Sequence, residues 1–291
     1  MLSNCIRNRR AFLKKKILSD GSSAKKVQRT TIQMCVLPST SAEPESSLST
    51  PDMAKEDITA DLETLMSKLK DTKPCATNLQ HIKMLMLKTK KMRRDWIVNK
   101  ETGARCSTIL KQFPYLKNSE LLQHDFDLLG IWKSSAVQNL DILLEKLSKL
   151  FKENATTESE KLFLLMKAEK ALIPNKALSS CKAITTCKIY ESPDILKTEE
   201  NESPRLVIFL DNSRVSQAFI VADKKVELAV DNPTVASCIR SLIGMCYVCD
   251  IMYPKSYSNF FHLIDFEVIG IPKPKTLPTK FCTFVKKLNS T

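Results

Sequence analysis

The chain has 291 residues, 45 of them basic and 32 acidic, which sets a formal charge of +13 on a composition that is 43% apolar. That composition is globular, and the length predicts one or two domains with a sizeable buried core. The longest uncharged run, Thr30 to Ala42, has thirteen residues. A bilayer span needs ~20 apolar ones, so no membrane crossing and no membrane partner is expected.

Glycine excludes more. The five glycines stand at positions 21, 103, 130, 244 and 270, so no two share a loop. Phosphate cradles cluster glycines because these let backbone N–H groups approach oxygens closely and take up positive φ. Dinucleotide fingerprints, P-loops, kinase glycine loops and G-x-S-x-G elbows are therefore absent, and no cofactor is expected. Only Ala11, Phe12 and Leu13 separate the first arginines from Lys14, which makes no secretory signal. The ten cysteines then read as reduced thiols. Cys246 and Cys249 form a C-x-x-C, but a tetrahedral zinc needs two further ligands, and His262 and Cys282 stand at unsuitable spacing. The pair lies within the apolar run Leu242 to Ile251 and is expected to be core, with no metal.

Taken in chain order, residues 1–75 form a basic and then acidic leader, mostly disordered, with one short amphipathic helix. Residues 1–30 carry nine basic groups and one acid, while residues 43–63 carry seven acids and one lysine. Too few large apolar groups occur before position 50 to offset the entropy of ordering. Thr50 and Pro51 open the helix, Ile58, Leu62, Leu65, Met66 and Leu69 form its stripe, and Pro74 ends it.

Residues 76–176 form a helical region. His81 to Ile97 puts Ile82, Leu85, Met86 and Trp96 on one side and crowds Lys88, Lys90, Lys91, Arg93 and Arg94 on the remainder. Two shorter helices are expected between Ile109 and Leu129, split at Phe113-Pro114, with Asn118 or Ser119 as the second cap. Trp132 through Phe151 carries the strongest helical stripe, and Thr157-Glu158-Ser159-Glu160 is a capping box.

Residues 177–270 form a small α+β region, because after Pro174 the apolar period falls from 3.6 to 2. Leu206–Leu210, Ala218–Ala222 and Val226–Val230 predict an antiparallel meander, with a fourth strand at Ile184–Tyr190. Two helices pack on it, one capped by Asn232 and one over Ser256–Val268. Residues 271–291 read as a Pro- and Lys-rich tail. The fold class is α+β: a predominantly helical middle followed by a small antiparallel β-meander.

Three segments, Arg93-Arg94-Asp95-Trp96-Ile97, Ile109 to Leu116 with Leu121 and Phe126, and Tyr253-Pro254-Lys255 with Asn259, Phe260 and Phe261, resemble the vertebrate sterile alpha motif domain-containing protein 3-like family. The resemblance spans about residues 80 to 270 and brings no catalytic residues. Relatives often begin with a sterile alpha motif, a helical interaction module, whereas residues 1–75 do not read as one.

Functionally, the basic segments come first. Residues 83–100 hold seven basic groups against Asp95. Such charge attracts polyanions by counterion release, so Lys88, Lys90, Lys91, Arg93 and Arg94 are candidate contacts for nucleic acid or an acidic partner. Arg7, Arg9, Arg10, Lys14, Lys15 and Lys16 are candidate nuclear-import residues. Nuclear or cytoplasmic residence is expected; the acid-free, arginine-bearing start also admits mitochondrial targeting. The expected function is that of a nonenzymatic interaction or scaffold protein. The competing reading is a metal-dependent, ribonuclease-H-like nuclease built on Asp211, which ends a strand before the meander and would need further acids beside it. His262 and Asp265, one helical turn apart, are expected to be structural.

Overall fold

A computed structural model describes residues 54–99, 105–174, 182–191, 193–224, 226–273 and 276–291. The leader's disorder, the Thr50 cap with Pro51, and the import candidates Arg7, Arg9, Arg10, Lys14, Lys15 and Lys16 lie outside the described residues. Two compact units divide the chain, Met1–Thr64 and Leu65–Thr291. The first contributes only the opening of helix α1 (Ala54–Asp71) to the description.

In the second unit α1 ends with Met66 and Leu69 buried. Next come α2 (Leu79–Val98), α3 (Cys106–Gln112), a 3₁₀ turn at Pro114–Lys117 and α4 (Ser119–Leu128). The split at Phe113-Pro114 is the expected one. Asn118 supplies the second cap, its Oδ1 accepting from the Leu121 N–H at 3.1 Å. Helix α5 (Ala136–Phe151) buries Ala136, Leu140, Leu143, Leu144 and Leu147, and α6 (Glu158–Leu172) starts with the Thr157–Glu160 capping box.

The sheet has order β1-β2-β3-β4, from β1 (Ile184–Lys188), β2 (Arg205–Asp211), β3 (Arg214–Ala222) and β4 (Val226–Ala229). Strands β2 to β4 are the expected antiparallel meander. The fourth strand pairs parallel with β2, Ile184 opposite Leu206 through Lys188 opposite Leu210, so the sheet is mixed. Both meander turns use left-handed residues other than glycine: Asn212 and Ser213 at φ 45° and 67°, Asp223 and Lys224 at 45° and 53°. Being interior, β2 buries residues on both faces, which explains its unbroken apolar run. Val207 and Phe209 join Cys187 and Val221 in a small core under Ile195 and Leu196 of the loop between β1 and β2. Leu206, Ile208, Ile220 and Leu228 make the other face, with α6 and α7 against β2 and β3 and α3 against β4.

Helix α7 (Val235–Val248) is capped by Thr234, whose Oγ1 accepts from the Ser237 N–H at 3.1 Å, and not by Asn232. Asn232 takes the left-handed conformation instead, at φ 46°, turning the chain ahead of the cap. The last expected helix forms as α8 (Ser258–Ile264) and runs on into a π-helical turn, Asp265–Ile269.

One further expectation is corrected. The segment read as a tail contains α9 (Thr279–Leu288), which buries Phe281, Phe284, Val285 and Leu288 against α5 and α6. Residues 76–176 and 177–270 both lie in one compact unit. Contacts of α4 with α7, and of α6 with β3, explain why.

Candidate interaction surface

Helix α2 presents two chemically different sides. Ile82, Leu85, Met86, Thr89, Arg93, Arg94 and Ile97 are buried, whereas Lys88 and Lys91 are exposed and Lys90 is half-buried. The five residues expected to act together on a polyanion are therefore not one patch. Arg93 is 1% exposed and Arg94 6%.

The buried guanidiniums are held by the chain's own acceptors. Arg93 pairs through Nη2 with Oδ1 of Asp125 on α4, while its Nη1 donates to the Thr89 hydroxyl at 2.9 Å and the Met86 carbonyl at 2.5 Å. Arg94 Nη1 donates to the Val248 carbonyl at 2.7 Å, and its Nη2 lies 3.6 Å from Asp250 Oδ1. That carbonyl closes α7, where the helix dipole favours a cation. The arginines thus lock α2 to α4 and α7, and their removal from the polyanion-binding set corrects the sequence reading. Burial decided this, because a buried charge must be paired.

What remains exposed is lysine interleaved with apolar side chains. Met84 is 48% exposed and Leu87 58%, on the face that carries Lys88 and Lys91. Neither lysine pairs with an acid among the described residues, whereas Lys83 beside them is held by Glu120. Sequence reasoning passed over Met84 and Leu87, although their place among the lysines at spacings of three and four was there to see. Trp96 is half-buried and sits edge-on to Phe113, ring centroids 5.2 Å apart.

The other candidate groups take structural positions. Asp211 is exposed at the β2–β3 turn opposite Arg214, and no group of three or more His, Cys, Asp or Glu gathers with metal-binding geometry among the described residues. Cys246 and Cys249 are fully buried, the Cys249 thiol 3.5 Å from Met245 Sδ. Cys106 packs against them, and the Cys249 thiol, with burial, pushes its pKa well up. His262 Nδ1 lies 3.7 Å from Asp265 Oδ2. Asp265, 4% exposed, also accepts from the hydroxyls of Tyr247 at 3.0 Å and Tyr253 at 2.8 Å, so it ties the π turn to α7.

Two further carboxylates act as internal staples. Glu169 of α6 accepts from the N–H groups of Ala183 and of Ile184, the latter at 3.2 Å. Burial pushes its pKa up to about 7 against those two donors. Burial acts in the same direction on Asp223, but hydrogen bonds from Ser107 and Asn201 prevail and hold it below the usual carboxylate range. A cleft of about 600 Å³ lies beside the loop between β1 and β2, lined by Lys182, Glu199, Glu202, Arg205, Ser256 and Tyr257. Arg205 already holds Glu202 at 2.7 Å, so much of the lining charge is internally matched.

No helix among the described residues is long and apolar enough to cross a membrane. No curated protein and no solved structure matches the chain. Residues 58–118 match the family model described as sterile alpha motif domain-containing protein 3, helical domain. That stretch includes α2, the buried arginines and the Phe113-Pro114 corner, and so takes in Arg93–Ile97 and Ile109–Leu116 of the segments that carry the resemblance in the sequence, while Leu121, Phe126 and the segment from Tyr253 to Phe261 lie beyond it. Over residues 58–118 the chain is therefore similar to the helical domain of the sterile alpha motif domain-containing protein 3 family, a match that includes no sterile alpha motif.

Proposed function

We propose that this protein is a nonenzymatic interaction protein that engages acidic partners by electrostatic attraction to the exposed side of α2. The observation that carries this reading is the pair Lys88 and Lys91, solvated and without acids of their own among the described residues, on a chain of charge +13. Exposed charges of one sign steer a partner of the other sign and set the rate of encounter. The match to a helical domain of an interaction-module protein supports binding over bond-making. On the same reading the protein works in the nucleus or cytoplasm.

The test is a salt titration of the full chain against poly-glutamate. Affinity should fall about tenfold or more between low and moderate ionic strength, because exposed charges are screened over ~8–10 Å. An unchanged affinity removes the mechanism. Localising the full chain beside one lacking residues 1–30 tests the compartment, and a magnesium-dependent cleavage assay with Asp211→Ala as control should show no nuclease activity in either protein.

A further inference from the structure

We infer that the occupant of the exposed α2 face is an acidic amphipathic helix, seated through apolar contacts to Met84 and Leu87 and held by Lys88 and Lys91. This rests on the reading above and narrows it from any acidic partner to one with apolar residues in register with its acids.

The four side chains stand at positions i, i+3, i+4 and i+7 of one helix, so they form a single strip about two turns long. Within it Met84 and Leu87 are 48% and 58% exposed, while Ile82, Leu85 and Met86 beside them are covered by the protein's own core. A strip meant only to stay in solution gains nothing from two large apolar side chains there, and an isolated surface charge gains nothing from them either. A partner helix with leucines at the same spacing, flanked by glutamates, would cover both and neutralise both lysines.

The flanks limit the strip to that charge pattern. Lys83 is already bound to Glu120, and exposed Asp95 one turn beyond Lys91 repels further acid, so the attractive stretch closes at both ends. A phosphate backbone fits less well. Both arginines, the side chains that bind phosphate with two parallel hydrogen bonds, are buried on acceptors of this chain, and two apolar side chains interrupt the remaining cations. Met adapts its shape readily to an apolar partner surface, which suits the contact proposed.

Fluorescence anisotropy of the full chain with three probes tests the inference. One is an 18-residue helical peptide of glutamates with leucines at helical spacing, one is its leucine-free counterpart, and one is a DNA duplex. The leucine-bearing peptide should bind about tenfold tighter than the other two. Met84→Ser with Leu87→Ser, and separately Lys88→Glu with Lys91→Glu, should each weaken it by about tenfold or more. All four sites are on the surface, and an unchanged thermal midpoint confirms that each variant folds.

If both peptides bind alike and the apolar variant changes nothing, the inference fails while the electrostatic reading stands. If no acidic probe binds, or the lysine variant has no effect, both fail. Tighter binding of the duplex makes the occupant nucleic acid, and a loss of self-association in the apolar variant makes it a second copy of this chain; either result overturns the inference.

Discussion

Adjacent arginines and lysines on α2 have opposite fates because of what lies beneath them. Arg93 and Arg94 point into the body, where Asp125 and the end of α7 await them; Lys88 and Lys91 do not. Removing one partner of a buried pair leaves an uncompensated charge and typically costs about 3–5 kcal/mol. Asp125→Ala should therefore lower stability by about that much in urea denaturation, while Lys91→Ala changes it by less than about 0.5 kcal/mol. Glu169 gives a second prediction at this scale. Its folded pKa is about 7 against an ordinary carboxyl value near 4.5. Between those values the folded state holds a proton that the unfolded state has released. Stability should fall as pH rises from about 4.5 to about 7, by on the order of 3 kcal/mol from this group, and level off above it. Glu169→Gln should flatten that part of the profile in chemical denaturation at a series of pH values; an unaltered slope would place its origin elsewhere.

Among the elements, α7 packs tightly on α4 at Gly244. A methyl group on Gly244 would stand 3.2 Å from Phe126 Cδ1. Phe126 is fully buried and stacked on Tyr247 at 5.7 Å, so it has little room to yield. Gly244→Ala should cost about 1–3 kcal/mol through overpacking, against the gain in helix propensity that alanine brings elsewhere, and Phe126→Leu in the same chain should recover part of it. Thermal denaturation of the two variants reads the difference. At the same scale the capping box of α6 was legible as four residues, because the hydrogen bonds that make it are local. The cap of α7 was misassigned. Asn232 and Thr234 are both good caps, and the choice turned on which of them took the extended backbone of an N-cap: Thr234 does, whereas Asn232 is left-handed at φ 46°. Helix α9 was missed for a different reason. Phe281, Phe284, Val285 and Leu288 stand at helical spacing, but six of the eleven residues from Pro272 to Cys282 are lysine or proline, a composition that suggested a tail.

For the molecule as a whole, the change of apolar period after Pro174 marked a change of secondary structure and not a boundary between domains. Residues 65–291 form one unit, in which α6 and α7 back the sheet and α9 closes over α5 and α6. One core of this kind predicts one cooperative transition. Native-state hydrogen exchange should return the same opening free energy for the slowest amides of α5 and of β2; a markedly lower value for one set would mean that the two regions open independently.

The local rules of the chain alone determined most of the helices, the three-stranded meander, the Phe113-Pro114 corner and the Thr157 cap, since each depends on neighbours within a turn or a hairpin. The absence of a glycine cradle was equally legible. Tertiary structure alone decided the parallel pairing of β1, the joining of helical and sheet regions into one unit, and the division of a run of five cations into two buried staples and an exposed lysine face. Burial and partner distance are properties of residues far apart in sequence, as the 154 positions between Arg94 and Val248 illustrate, and no periodicity encodes them.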